Sequence, residues 1–170
     1  IDAIEIDHLS ATQANENVLE SPFSGRIKVY PVSLDGFLVA ANQEERPLYD
    51  LILCNPPYFS GSLRSPDTMR STARHDDELT LHELISAADC LLQPHGHLSL
   101  VLPAMTSESF LSSAALKGLF LHRRLKVIPL PGRPPKRVCM ELGREEITPE
   151  EEMLVIEKGK RHQYTEEYLA

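Results

Sequence analysis

Residues 49–58, Tyr-Asp-Leu-Ile-Leu-Cys-Asn-Pro-Pro-Tyr, limit the fold more than any other stretch of the chain. Leu51, Ile52, Leu53 and Cys54 are apolar in succession, so both faces of a strand built from them avoid water. That pattern belongs to a central strand of a parallel sheet covered on both sides. The run stops at Asn55. Two successive prolines then fix φ twice and remove two backbone donors, and the residue before a proline is held extended. The strand therefore ends in a rigid hook whose acceptors are the Asn55 side-chain carbonyl and the Pro56 backbone carbonyl. Tyr58 adds a flat ring.

The remaining chain alternates strands with helices. Residues 1–6 read as a strand, and Asp7 caps a helix running to about residue 19. Residues 26–32 form a second strand, frayed or placed at an edge by Pro31. Residues 33–47, with Gly36 and a polar patch, read as a linker. After the hook comes a long loop over 55–77, of a length that is usually functional or disordered. Asp77 or Thr80 starts a helix to about residue 92, stopped by Pro94 and Gly96. A strand over 97–103, a helix from Thr106 to about 117 and a strand over 119–130 follow. A tight turn over 131–135, a strand over 137–142 and a short strand over 153–156 complete the series. This order predicts one open α/β sheet, mostly parallel, with an antiparallel pair at its C-terminal end. At 170 residues the chain makes one domain, 1–170. Ligands of such sheets sit beyond the carboxyl ends of the strands, which places Glu5 and the hook on one rim.

The hook suits an amine on a flat ring. A nucleobase amine offers two N–H donors and a π face, and its lone pair is delocalised into the ring. Two acceptors on its hydrogens favour a more tetrahedral nitrogen and free that pair for attack, so alignment supplies most of the catalysis. Asn55, Pro56, Pro57 and Tyr58 are the candidate catalytic residues.

The formal net charge of −8 does not suggest a nucleic-acid binder. Basic residues nevertheless cluster: Arg64, Arg70, Arg74 and His75 after the hook; Arg123, Arg124 and Lys126 on a late strand; and Arg133, Lys136 and Arg137 around the tight turn. Such clusters on a rim neutralise phosphates and make binding salt-dependent. Cys54, Cys90 and Cys139 sit singly in apolar runs, which argues for buried free thiols in a cytoplasmic protein rather than a disulfide framework or zinc site. His95 and His97 lack a third metal ligand nearby, so no metal is expected. No apolar run approaches the length of a membrane span.

Asn55-Pro56-Pro57-Tyr58 matches the [DNS]-P-P-[YFW] motif of amino-group methyltransferases that use S-adenosylmethionine. Further segments, residues 3–7, 13–23, 26–29, 65–75, 131–138 and 164–168, extend the likeness over nearly the whole chain. Together they resemble the tRNA (adenine-N6)-methyltransferases that act beside the anticodon of valine tRNA. The resemblance implies a Rossmann-like class I methyltransferase fold, S-adenosylmethionine as cofactor and a tRNA adenine amine as substrate. It implies that Glu5 accepts the cofactor's ribose hydroxyls and that Asn55 borders the cofactor. Ser33, with Asp35 two residues on, stands where the family has an acid facing the cofactor's adenine. Arg70, Arg74, His75, Lys136 and Arg137 are the expected RNA contacts, with Arg70, Arg74 and Lys136 foremost. The hook alone also fits methylation of a DNA base or a protein glutamine. The family's glycine-rich loop and first, central strand have no counterpart here, and the first residue is Ile rather than Met. The expectation is an incomplete sheet that binds the cofactor weakly or not at all by itself. A non-catalytic RNA-binding remnant is the alternative of another class.

Overall fold

The computed structural model describes residues 1–44, 48–56, 80–159 and 162–170, with backbone alone for 42–44. The elements among the described residues follow in the order β1 (Asp2–Ile4), α1 (His8–Glu20), β2 (Lys28–Tyr30), α2 (Leu34–Glu44), β3 (Tyr49–Cys54), α3 (Leu81–Leu91), β4 (Leu92–Pro103), α4 (Ser107–Ala115), β5 (Phe120–Ile128), β6 (Arg137–Gly143), β7 (Glu150–Val155) and α5 (Glu166–Leu169). A short 3₁₀ turn, Ala104–Thr106, joins β4 to α4.

The strands form two sheets. β1 and β2 make a parallel pair, and the other five lie in the order β3-β4-β6-β5-β7. β3 is parallel to β4 and β5 to β7, while β6 runs antiparallel to both β4 and β5. The expected antiparallel element is thus one strand inserted between two others.

The main core lies on one face of the larger sheet. Leu98, Leu100 and Leu102 of β4 stand opposite Leu142, Met140 and Val138 of β6. Leu84, Ile85 and Ala88 of α3, Phe110 and Ala114 of α4, and Leu119 close over this ribbon. Burying side chains of this size contributes roughly 1.5–3 kcal/mol each before chain entropy is counted. A second cluster joins Phe37 and Ala41 of α2 to Ala87 and Leu91 of α3, with Tyr30 of β2 and Tyr49 and Ile52 of β3 packed against it. This cluster ties the small sheet to the large one.

Four expectations are corrected. The linker over 33–47 contains helix α2. Leu34, Phe37, Leu38 and Ala41 recur at helical spacing, and Ser33 Oγ accepts the Gly36 N–H at 3.1 Å at the helix start. The apolar run of β3 is not central among the described residues. It is an edge strand bonded to β4 alone, with Leu51 55% and Leu53 78% exposed. Helix α3 ends at Leu91 as expected, but β4 begins at Leu92 rather than at residue 97, so Pro94 and Gly96 lie inside the strand. The last strand starts at Glu150, earlier than its apolar part suggests, since three glutamates pair with a basic strand. Of the thiols, Cys54 and Cys139 are half-buried and burial pushes both up from their ordinary pKa, whereas Cys90 is exposed.

Candidate active site

Two strand ends build the site. Glu5 follows β1, and its backbone N–H donates to Tyr30 O at 3.1 Å, holding the strand end against β2. The carboxylate is half-buried, and Oε1 accepts the Asp7 N–H at 2.8 Å. Oε2 has no partner among the described residues. Asp7 has another task. Its Oδ1 accepts the Ser10 N–H at 2.8 Å as the N-cap of α1, and those bonds hold its carboxyl below the usual carboxylate range. Asp7 is therefore the cap the sequence suggests.

Asn55 follows β3 and is exposed, while Pro56 is buried. Cys54 pairs with Leu100 on β4, so Asn55 lies level with Val101, two residues short of the end of β4. The starts of β1 and β3 meet through a hydrogen bond from Tyr49 Oη to Asp2 Oδ2. Helix α2 packs on Tyr30 of β2 and on Tyr49 and Ile52 of β3, and with β1 parallel to β2 and the starts of β1 and β3 joined, Glu5 and Asn55 each follow the carboxyl end of their strand.

The rim continues onto β6. Arg137, its first residue, pairs with Pro103 at the end of β4 and with Val127 of β5. The Lys136 carbonyl accepts the Ala104 N–H at 3.1 Å, and the Lys136 N–H donates to Val127 O at 2.9 Å. Preceding them is a tight turn in which Arg133 N–H donates to Leu130 O at 3.2 Å and Gly132 takes φ 73°. Pro131 followed by a positive-φ glycine is the type II arrangement. Arg133, Lys136 and Arg137 are all exposed there.

The cluster of Arg123, Arg124 and Lys126 is spent within the protein. Arg123 pairs with Glu150 at 3.2 Å and Glu152 at 3.3 Å, Lys126 pairs with Glu151 at 2.7 Å, and Arg124 bonds Glu108 and Glu151. The Lys126 ammonium, followed by Arg124, holds the Glu151 carboxyl below its ordinary range. This neutralisation was missed in the sequence, although three cations at 123–126 and three acids at 150–152 were the signal for it.

Pro57, Tyr58, Arg64, Arg70, Arg74 and His75 lie outside the described residues. Ser33 caps α2 with its oxygen, which leaves the hydroxyl proton as its polar contribution to a ligand. Among the described residues no group of three or more His, Cys, Asp or Glu side chains converges on a metal position, and no helix is long and apolar enough to cross a membrane.

No family model matches the chain. It is 42% identical over 171 residues to a tRNA1(Val) (adenine(37)-N6)-methyltransferase of Parabacteroides distasonis, with 100% of this chain and 70% of that protein covered. It is 41% identical to a protein of the same name from Bacteroides fragilis, covering 98% of this chain and 69% of the relative. Among solved structures, a predicted O-methyltransferase from Agrobacterium tumefaciens superposes with a TM-score of 0.67 at 19% identity, over 97% of this chain and 73% of that one. That likeness gives the fold, a Rossmann-like class I methyltransferase sheet, and the sequence identities go further: the chain belongs to the tRNA1(Val) (adenine(37)-N6)-methyltransferase family.

Proposed function

We propose that the protein methylates the exocyclic N6 amine of an adenine in the anticodon loop of valine tRNA, with S-adenosylmethionine as donor. The observation that carries this reading is the shared rim. Glu5 follows β1, Asn55 and Pro56 follow β3, and Lys136 and Arg137 stand at the start of β6, across β4 from β3. The same reading places the protein with its substrate in the cytoplasm.

The described residues fit the ribose side of the cofactor. The unpartnered Oε2 of Glu5 is an acceptor for ribose hydroxyls, the chemistry of an acid at a strand end in dinucleotide sites. Ser33 donates toward the adenine side, where a ring nitrogen rather than the amine is its match. When bound, S-adenosylmethionine supplies an electrophilic methyl group on sulfur. The chain's own residues orient the nucleophile. Asn55 Oδ1 and the Pro56 carbonyl accept the two hydrogens of the amine, Pro56 and Pro57 keep both acceptors fixed, and Tyr58 stacks on the ring. Held in line by these acceptors, the amine would take that methyl group, and one proton would leave the nitrogen to water afterwards. The adenine must leave its stack to reach the hook, which is easier in a loop than in a duplex. Arg70, Arg74, His75, Lys136 and Arg137 hold the phosphates.

The test is methyl transfer from labelled donor to total tRNA by the full-length gene product, followed by nucleoside analysis. N6-methyladenosine in valine tRNA is the expected product. Asn55→Ala should lower kcat by about 10²–10³-fold, the loss typical of removing one aligned polar group at a reacting centre. Asn55→Asp, which keeps the acceptor, should retain far more activity. Equal rates for Asn55→Ala and wild type would refute the role of the hook.

A further inference from the structure

Met105 is 88% exposed, as open as any large apolar side chain among the described residues. Isolated exposed apolar residues are ordinary. The placement of this one is not. It is the middle residue of the 3₁₀ turn that leaves β4. Three bonds hold that turn: Ala104 N–H to the Lys136 carbonyl at 3.1 Å, Thr106 Oγ1 to the Pro103 carbonyl at 3.0 Å, and Ser107 Oγ to the Ala104 carbonyl at 2.8 Å. Met105 is thus a fixed projection rather than part of a loose loop.

Its surroundings select a partner. Lys136 is joined by backbone to the residue before it, Arg137 pairs with Pro103, and Arg133 stands on the adjoining type II turn. An apolar tip among cations, on a rim, is suited to a polyanion that also carries flat apolar faces, which is RNA. Asn55 lies level with Val101 on the neighbouring strand. With strands about 4.8 Å apart and a rise of about 3.3 Å per residue, the four residues from Val101 put Met105 no more than about 14 Å from the hook, and closer because the 3₁₀ turn rises more slowly.

We infer that Met105 inserts into the stack of the tRNA loop at the place vacated by the target adenine, holding the extruded base toward Asn55. This inference rests on the tRNA reading of the site. Methionine is among the side chains that act as apolar wedges between bases, and its flexible thioether adapts to an uneven gap. Met105 is a positioning residue, because it touches the neighbours of the reacting base and leaves the transfer itself to the hook.

The experiment uses the full-length gene product, S-adenosylmethionine and a valine tRNA anticodon stem-loop carrying 2-aminopurine at the target adenine. Wild-type protein should raise the fluorescence, since the probe brightens when unstacked. Met105→Ala should lose most of that rise and lower kcat/KM on the unmodified stem-loop by about 10- to 100-fold, the scale of one base contact. Its thermal midpoint and cofactor affinity should stay unchanged, because the side chain is in solvent. Met105→Leu should restore both signals, and Met105→Glu should abolish them. A Met105→Ala protein with the full fluorescence rise and kcat/KM within about twofold of wild type overturns the inference while leaving the tRNA reading intact. Wild-type protein that does not methylate the stem-loop overturns both.

Discussion

Thr80 Oγ1 accepts the Glu83 N–H at 3.2 Å, and Glu83 Oε2 accepts the Thr80 N–H at 2.6 Å. This reciprocal capping box satisfies two of the donors that a helix start leaves open, and it holds the beginning of α3 at the end of the segment that follows the hook. Thr80→Ala should cost about 1 kcal/mol, read from urea denaturation at neutral pH. The bonds from Thr80 hold the Glu83 carboxyl below its ordinary value of 4.5. A carboxyl more acidic in the folded chain than in the unfolded one adds stability above the unfolded value, and that stability is lost as pH falls through the folded one. The difference in urea midpoint between wild type and Glu83→Gln should therefore be full above about pH 5 and shrink below about pH 4; a difference independent of pH would exclude the linkage. At this scale the sequence was informative. Thr80 and Asp7 both rest on local chemistry, which needs no tertiary partner. Ser33 was not legible as a cap, because the helix it caps was not seen.

Helix α2 and strand β7 mark the limit at the scale of elements. Gly36 and the polar patch after Ala41 interrupt an apolar stripe that becomes evident only when Phe37 and Ala41 meet Ala87 and Leu91. β7 begins with Glu150, Glu151 and Glu152, which have poor strand propensity alone and become strand residues only opposite Arg123 and Arg124. The same pairing separates two kinds of basic residue. Lys136→Ala should weaken tRNA binding and reduce the slope of log affinity against log salt by about 1. Arg123→Ala, whose charge already faces Glu150 and Glu152, should leave that slope unchanged in filter-binding titrations. Equal slope changes at both positions would refute the division.

Across the whole molecule, the packing is uneven. β4 and β6 carry the fully buried leucines Leu98 and Leu142, whereas β1 contributes no buried side chain and α1 only Ala11. In this 170-residue chain, native-state hydrogen exchange should show β1, α1 and β2 opening at a lower free energy than β4 and β6. A single opening energy for both regions would contradict it. The alternation of strands and helices was legible because it is written in local periodicity. The division into two sheets was not, since strand order depends on contacts between residues distant in sequence, and the apolar run at β3 read as central where the described sheet makes it an edge.

The three glutamates of β7 have one more consequence. They lie at the outer edge of the five-stranded sheet and absorb the cations of β5, while the exposed cations at 133–137 stay on the rim beside Asn55. The protein is therefore electrically polarised in spite of its net charge of −8. The β7 edge is charge-balanced and draws no polyanion, whereas the rim attracts one, so long-range forces orient the incoming RNA before any contact forms. A chain whose total charge opposes its substrate can in this way still capture it quickly, because the field at the mouth of the site, rather than the sum over the surface, governs the encounter.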